Sequence, residues 1–209
     1  MAFNGCTWFR SITIPSSVTS IGGSAFIGCT ELAEIHISDI SAWCNIDFAH
    51  NSIPCVKNLY LNGEPVKDIV IPDGVTEIKQ YTFEMCSGLT SITIPGNVTE
   101  IGEVAFGGCT GLTSIYVMSE TAPTIISTSF DDDTYSNATL YVPTGTLKTY
   151  QETDGWKEFS NIQEFDPTGI DGIIAEEAEN NLFYDLNGRT IENSGNGIYI
   201  VNGKKVLIK

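Results

Sequence analysis

Two blocks of the chain repeat one pattern of apolar and polar positions with a period of 23 residues. In the segment LTSITIP, Ile92 and Ile94 alternate with the polar Thr93, the period of two expected for a half-buried strand. The repeated positions are Phe3, Cys6, Phe9, Ile12 and Ile14, then Phe26, Cys29, Leu32, Ile35 and Ile37, and in the second block Phe83, Cys86, Leu89, Ile92 and Ile94, then Phe106, Cys109, Leu112, Ile115 and Val117.

Each repeat predicts one coil of a solenoid. Pro95 ends the strand because proline has no N–H to donate. A second extended piece then runs from Val98 to Ile101, and the chain turns at Gly102. Such a coil exposes an apolar side that it cannot bury alone, so successive coils must stack. The predicted fold class is therefore mostly β (formally α/β), a right-handed solenoid.

The repeat is interrupted at 38–68, where Asn62-Gly63 predicts a two-residue hairpin turn. The strand at Ile69–Ile71 then rejoins the array. Residues 119–138 form a predicted acidic excursion, and Leu140–Val142 is the predicted final rung. A solenoid needs a cap over its last coil, and a short helix with an apolar face would supply it: Leu147, Tyr150 and Trp156.

The C-terminal part of the chain has a different composition. We expect the solenoid, with its cap at 119–165, to occupy residues 1–165, followed by a linker at 166–181 and a small β-hairpin module at 182–209. In that module, Asn187-Gly188 and Asn202-Gly203 each lie between alternating apolar runs, which predicts two consecutive hairpins.

The charge balance excludes some classes of partner. The formal net charge is −16, with 26 acidic and 10 basic residues. Such a chain repels nucleic acid and anionic membrane surfaces, because binding phosphate requires clustered Lys and Arg. No apolar stretch approaches the roughly 20 residues that span a bilayer, so neither nucleic-acid binding nor membrane insertion is expected.

The repeat positions resemble the BspA-type leucine-rich-repeat family of gut and oral anaerobic bacteria. The resemblance covers residues 1 to about 165, including the interruption that begins ISDISAWCNIDF and the closing segment ATLYVPTGTLKTYQETDGW. It implies a leucine-rich-repeat solenoid that is secreted or surface-attached and adheres to host proteins or other cells. The end of the chain, YDLNGR followed by GIYIVNGKKV, resembles C-terminal sorting-type β modules of the same bacterial phylum.

The first residues of the sequence already fit the repeat. Phe3 and Cys6 already occupy repeat positions, so the chain begins inside a coil, and no signal peptide is recognisable in MAFNGC. We expect upstream sequence either to have been removed or never to have existed. A first coil without a cap exposes apolar surface, which predicts weak self-association.

The cysteines allow three chemical interpretations. Four of the six are repeat positions, which favours buried free thiols over a disulfide between adjacent coils such as Cys6 with Cys29. Zinc binding by Cys44, His50 and Cys55 is disfavoured, since the spacing is loose and a fourth ligand is missing. Packing around Trp43 and Phe48 is favoured instead.

Other candidate chemistry is sparse. Asp131, Asp132 and Asp133 could bind calcium, but the run lacks the spacing of an EF-hand loop, so a solvated acidic loop is favoured. His36 is expected to face outward with no fixed acid beside it. No GxSxG, HExxH or P-loop motif occurs. We therefore expect no enzymatic activity, no cofactor and no metal.

The candidate binding face is the outward column of the stacked strands. Extended solenoid faces bind partners, and exposed aromatic residues are effective anchors. The alternative is that Tyr and Thr lie there for their high β-propensity alone. The expected function is a surface or secreted adhesion module for protein or glycan partners, and the alternative function is a structural spacer in a longer surface protein. The candidate face comprises His36, Tyr60, Thr93, Tyr116 and Tyr141, with Thr13 and Val70 in the same column.

Overall fold

The computed structural model describes residues 3–50, 52 and 58–167 in full, and the backbone of strands at 183–184, 190–191, 197–201 and 204–208. Short strands predominate, and no helix in these described parts is both long and apolar enough to cross a bilayer. The linker expected at 166–181 lies outside the described residues except for its first two positions.

Two parallel ladders form one side of the coils. The first ladder consists of β1 (Ser11–Thr13), β3 (Glu34–Ile37) and β5 (Asn58–Leu61), with β6 (Glu64–Pro65) antiparallel at its edge. The second ladder consists of β7 (Asp68–Val70), β9 (Ser91–Ile94), β11 (Ser114–Val117), β13 (Thr139–Pro143) and β14 (Asn161–Phe165).

A second series of shorter strands also pairs in parallel between coils, and it forms the line of shorter strands. The described strands there are β2 (Ser20–Ile21) with β4 (Asp47–Phe48), and β8 (Glu77–Ile78), β10 (Glu100–Ile101) and β12 (Thr124–Ile125).

The register follows the sequence period. Ile69, Ile92 and Ile115 pair directly at 23-residue intervals. Their side chains point into the coil, and Ile92 and Ile115 are fully buried. Burying one such side chain contributes roughly 1.5–3 kcal/mol. Stacking of successive coils, rather than any single coil, therefore supplies most of the apolar burial.

The interruption at 38–68 still forms part of the solenoid. Helix α1 (Ile40–Cys44) is capped by Asp39, whose carboxylate accepts hydrogen bonds from the backbone N–H groups of Ser41 and Ala42. The indole of Trp43 packs on Phe48 with ring centroids 5.0 Å apart, which confirms the expected apolar cluster. Trp43 Nε1 also donates to the carbonyl of Thr82 at 2.9 Å.

The predicted turn at Asn62-Gly63 is confirmed. Both residues have positive φ, 52° and 90°, as a primed two-residue hairpin turn requires. The turn folds β6 back against β5, and among the described pairings β7 joins β9 instead of β5. This hairpin therefore separates the two parallel ladders.

The acidic excursion is more ordered than the sequence indicated. It contains β12 and helix α2 (Asp132–Asn137), so the interpretation of 131–133 as a loop is wrong for Asp132 and Asp133, while Asp131 precedes the helix. Asp132 and Asp133 lie in the first turn of α2, where a carboxylate interacts favourably with the positive end of the helix dipole.

The residues predicted to form one capping helix lie in two short helices instead, and the array extends one strand further than predicted. Helix α3 (Leu147–Glu152) buries Tyr150, and a 3₁₀ helix at Trp156–Glu158 buries Trp156. The indole of Trp156 donates to the carbonyl of Pro123 at 2.7 Å, which ties the cap to the coil before it. Leu140–Val142 is not the final rung, because β14 pairs in parallel with β13.

Four short strands form an antiparallel sheet near the C-terminus: β15 (Phe183–Tyr184), β16 (Thr190–Ile191), β17 (Gly197–Val201) and β18 (Lys204–Ile208). The pairings β15–β16 and β17–β18 are those that two hairpins require. The predicted turns at Asn187-Gly188 and Asn202-Gly203 lie outside the described residues.

Candidate functional site

The outward surface of the two ladders carries two aligned rows of side chains. The outer row lies at the third position of each strand: Thr13, His36, Tyr60, Val70, Thr93, Tyr116, Tyr141 and Gln163. The flanking row lies two residues earlier on each strand: Ser11, Glu34, Asn58, Asp68, Ser91, Ser114, Thr139 and Asn161.

In the first ladder, the outer row forms a stacked pair. The rings of His36 and Tyr60 lie 4.6 Å apart between centroids, with their planes 20° apart. The expectation that no acid lies beside His36 is wrong, since its Nε2 is 3.2 Å from Oε2 of Glu34. Alternation of side chains along β3 brings residues two apart to the same face, so Glu34 and His36 meet there.

In the second ladder, the outer row forms a tighter stack. Tyr116 and Tyr141 have ring centroids 4.5 Å apart and planes 8° apart. Phe165 on β14 contacts the ring of Tyr116 edge-on, with centroids 5.6 Å apart. Phe165 and Gln163 were not predicted to lie on this face, because Leu140–Val142 was expected to be the final rung. The alternation of Ile162 with polar neighbours in NIQEF was the available signal.

Thr93 points outward as its alternation predicts, but its expected exposure is wrong. Only 3% of its surface is accessible. Larger side chains on the adjacent strands, Val70 and Tyr116, flank it in register. A small residue between two larger ones is covered when strands lie about 4.8 Å apart. Thr93 therefore contributes packing to this face and not contact area.

The surroundings of Tyr116 oppose ionisation of its hydroxyl group. Burial raises the pKa of Tyr116, and the neighbouring Tyr141 and the carboxylate of Asp68 raise it further. Asp68 lies on β7, two strands away from Tyr116 in the same ladder. The phenol therefore stays protonated at neutral pH, close enough to Asp68 for that carboxylate to oppose its ionisation.

The stacks determine which parts of the rings a partner can reach. Each tyrosine of the second ladder uses one ring face against the other, so ring edges and hydroxyl groups make up much of what the stack offers. Their partial burial restricts side-chain rotation before any partner binds. Rigid aromatic groups of this kind provide contact area at low entropic cost.

Three of the four repeat cysteines, Cys29, Cys86 and Cys109, are buried as predicted, and Cys6 is partly buried. Cys29 donates to the carbonyl of Phe3 at 3.0 Å, and Cys109 donates to that of Phe83 at 3.1 Å, so the same contact recurs between different coils. The described cysteines are all free thiols. Burial raises the pKa of Cys86 to about 12 and that of Cys109 well above its usual value. These thiols are therefore poor nucleophiles at neutral pH.

The residues considered for zinc have other surroundings. Cys44 is buried, and burial together with the charge of Asp39 raises its pKa to about 12. The ring of His50 meets Tyr81 with centroids 5.6 Å apart. Cys55 lies outside the described residues. Within the parts that are described, no group of three or more His, Cys, Asp or Glu side chains converges on a metal position.

The three carboxylates at 131–133 do not converge on a metal position either. Asp131 accepts a hydrogen bond from the backbone N–H of Gly108, one coil earlier. Asp132 and Asp133 are exposed on the first turn of α2. The run therefore ties a helix to the solenoid and adds negative charge to the surface.

Apolar side chains are exposed near the beginning of the described chain. Trp8 is 77% accessible and Phe3 is 37% accessible. Phe3 also stacks on Phe26 in the next coil, with centroids 5.1 Å apart. Part of this aromatic cluster is thus packed, and Trp8 is its most exposed member.

Comparison with solved structures shows resemblance to bacterial leucine-rich-repeat proteins. A T. pallidum leucine-rich-repeat protein is 24% identical, with a TM-score of 0.32, and the match covers 78% of this chain and 61% of that one. A leucine-rich cell surface protein from Faecalibacterium prausnitzii A2-165 is 17% identical, with a TM-score of 0.33 and coverage of 78% and 62%. A leucine-rich-repeat protein from Eubacterium ventriosum is 17% identical, with a TM-score of 0.34 and coverage of 76% and 49%.

The match therefore spans less than two thirds of the length of each of these proteins. No curated protein matches this chain. The family model of the BspA-type leucine-rich-repeat region matches residues 1–57 and 56–153, with six copies of the repeat. Together with the parallel ladders and the 23-residue register, this match shows that the chain belongs to the BspA-type leucine-rich-repeat family.

Proposed function

We propose that this chain is a non-enzymatic interaction and adhesion module that binds a protein or glycan partner through the outward face of its two ladders. The observation that carries the proposal is the stack of Tyr116 and Tyr141, contacted by Phe165. These aromatic groups lie on the outward side of the strands, where each ring is partly exposed and packs against another.

Two further features support the proposal. The aromatic stacks occur in both ladders, at His36 and Tyr60 as well as at Tyr116 and Tyr141. β-propensity accounts for the type of residue found there, but an outward stack with polar neighbours also has the composition of an interface core. Family membership favours interaction through repeats, since solenoids present extended faces of this kind.

The proposal is tested with a panel of glycoproteins and purified glycans against the full chain. The informative variant is Tyr116→Ser with Tyr141→Ser, which removes the aromatic area and retains a hydroxyl group at each position. The matched control is Ile126→Ser, because Ile126 is 48% exposed and follows β12, outside the two ladders. Circular dichroism and urea unfolding establish that both variants are folded.

The proposal predicts a panel member whose affinity falls at least about tenfold in the double variant and is unchanged in the control. Equal binding by the native chain and the double variant would contradict it. A native chain that binds nothing in the panel would favour the spacer function over adhesion.

We also propose that the module acts at the cell surface or after secretion. One structural neighbour is described as a cell surface protein, and the family resemblance gives the same expectation. Labelling intact cells with an antibody against the solenoid tests this location. Signal that appears only after the cells are permeabilised would contradict it.

A further inference from the structure

The face proposed for binding carries a carboxylate in the flanking row of each ladder. In the first ladder, Glu34 lies in the flanking row next to the stack of His36 and Tyr60. In the second ladder, Asp68 lies in the flanking row on β7, two strands from Tyr116, and its negative charge contributes to raising the pKa of that tyrosine. Each ladder therefore carries one acid in its flanking row and one pair of stacked rings in its outer row.

These carboxylates are not neutralised by lysine or arginine. Neither the outer row nor the flanking row contains either residue. The four ion pairs of the described residues include none with Asp68, which accepts a hydrogen bond from Oγ1 of Thr90 at 3.3 Å. Glu34 contacts His36 and remains 42% exposed at its side chain. Lys67, the base nearest to Asp68 in sequence, forms none of these ion pairs.

The rest of the described chain also carries a net negative charge. The fully described residues, 3–50, 52 and 58–167, include 20 acidic and 5 basic side chains. Three of these five bases are held in ion pairs with Asp47, Glu152 and Asp154. A surface so acidic attracts cationic partners over distances up to about the Debye length and raises their association rate.

The stacking of the rings reduces the open aromatic area available to the main alternative ligand, a glycan. Neutral sugars commonly stack on an open aromatic face, but the two tyrosines of the second ladder turn one face each toward the other at a centroid distance of 4.5 Å. Anionic glycans would meet Glu34 and Asp68 and be repelled. The hydroxyl oxygens of Tyr60 and Tyr141 can instead accept hydrogen bonds from cationic groups, and the aliphatic stems of Lys or Arg can pack on ring edges.

We propose, on the basis of the function proposed above, that the partner presents a protein segment rich in Arg or Lys to this face. Its cationic groups pair with Asp68 and Glu34, and its side-chain stems lie along the stacks of Tyr116 with Tyr141 and His36 with Tyr60. Arginine fits better than lysine, since its planar guanidinium can donate to a carboxylate with two N–H groups at once.

The test uses fluorescein-labelled peptides of 12 residues, identical except for four Arg, four Lys or four Glu on a Gly-Ser background. Their affinity for the full chain is measured by fluorescence anisotropy at low and at physiological salt. The informative variant is Asp68→Asn with Glu34→Gln. The matched control is Glu77→Gln with Glu100→Gln, which makes the same charge change at exposed positions on β8 and β10.

The proposal predicts that the Arg peptide binds more tightly than the Lys peptide and that the Glu peptide does not bind. The affinity for the Arg peptide should fall about tenfold in the Asp68 and Glu34 variant and less than about twofold in the control. An equal loss in both variants would show attraction by net charge alone and would overturn the proposal. Absence of binding by the Arg peptide would also overturn it.

The two proposals can fail separately. A glycan or glycoprotein whose binding requires Tyr116 and Tyr141 but is insensitive to the loss of Asp68 and Glu34 would leave the binding face intact and overturn the basic partner. Peptide binding that depends on the two carboxylates and not on the tyrosines would overturn the role of the aromatic stacks in both proposals.

Discussion

Tyr116 and Tyr141 lie one rung apart on the outward face, and their rings are nearly parallel with centroids 4.5 Å apart. The two residues are 25 positions apart in sequence, two more than the period, yet β11 and β13 pair them directly. The extra residues are accommodated in the connection through β12 and α2. Strand pairing, and not strict sequence spacing, therefore builds the aromatic face.

The stack should contribute to stability as well as to recognition. We expect Tyr116→Ser and Tyr141→Ser each to lower the free energy of unfolding, with a coupling of about 0.5–1.5 kcal/mol in the double-mutant cycle. Urea denaturation of the four proteins measures this coupling. Strictly additive effects would show that the rings do not stabilise one another.

Close contact with the preceding coil leaves no room for a side chain at Gly102. A Cβ atom placed there would lie 2.5 Å from the backbone N of Gln80 in the preceding coil. We therefore expect Gly102→Ala to lower the free energy of unfolding by about 1–3 kcal/mol. Urea denaturation measures the change.

Gly22 provides the matched control, because it occupies the same repeat position as Gly102. A Cβ placed at Gly22 meets no described atom within 4 Å. We expect Gly22→Ala to change the free energy of unfolding by less than about 0.5 kcal/mol. Equal effects of the two substitutions would contradict the predicted contact between coils.

The buried thiols should make the fold sensitive to alkaline pH. Burial raises the pKa of Cys86 from 9.0 to about 12. Between these values the unfolded chain loses a proton that the folded chain keeps, so stability is full below pH 9 and falls as the pH rises toward 12. The loss amounts to about 1.4 kcal/mol per pH unit for each such thiol.

We expect Cys86→Ala to reduce the dependence of stability on pH above 9 by roughly this slope. Urea unfolding from pH 7 to 11 measures the change. Below pH 8 the variant and the native chain should have parallel pH profiles, which is the internal control. An unchanged slope above pH 9 would contradict the predicted ionisation of Cys86 on unfolding.

Two carboxylates are adjacent on the line of shorter strands. Glu77 and Glu100 pair in register on β8 and β10, and both are exposed. We expect Glu100→Gln to raise the free energy of unfolding by a few tenths of a kcal/mol at low salt, since like charges in this arrangement repel. The gain should disappear in about 1 M salt, where the Debye length is about 3 Å. Glu64→Gln, at the exposed hairpin strand β6, is the control.

The exposed Trp8 allows a test of the predicted self-association. We expect the native chain to form weak oligomers at high concentration and Trp8→Ser to reduce them, because large exposed apolar groups favour association. Sedimentation velocity over a concentration series measures this. A native chain that stays monomeric throughout would contradict the prediction.

Much of the fold was predictable because the repeat encodes it directly. The alternation around Ile92 and Ile115 identified the buried side of the strands, and Asn62-Gly63 identified a hairpin through its positive φ angles. Each of these signals is local in sequence. Local signals suffice for coils that contact only their neighbours along the chain.

Other features depend on contacts that local patterns do not encode. The exposure of Thr93 depends on the size of Val70 and Tyr116, which lie 23 residues away on either side. The pairing of His36 with Glu34 depends on side-chain rotamers on one strand face. A repeated backbone feature was also missed: Ser24, Tyr81 and Val104 share one repeat position with positive φ, although none of them is glycine.

The central claim is that the outward face of the ladders contacts the partner, and hydroxyl-radical footprinting of the full chain with its tightest panel ligand tests it most directly. The account predicts that oxidation of Tyr60, Tyr116 and Tyr141 falls when the ligand is bound. Oxidation of Trp8, which is 77% exposed at another part of the chain, should stay constant. Unchanged oxidation of all three tyrosines in a saturated complex would contradict the claim.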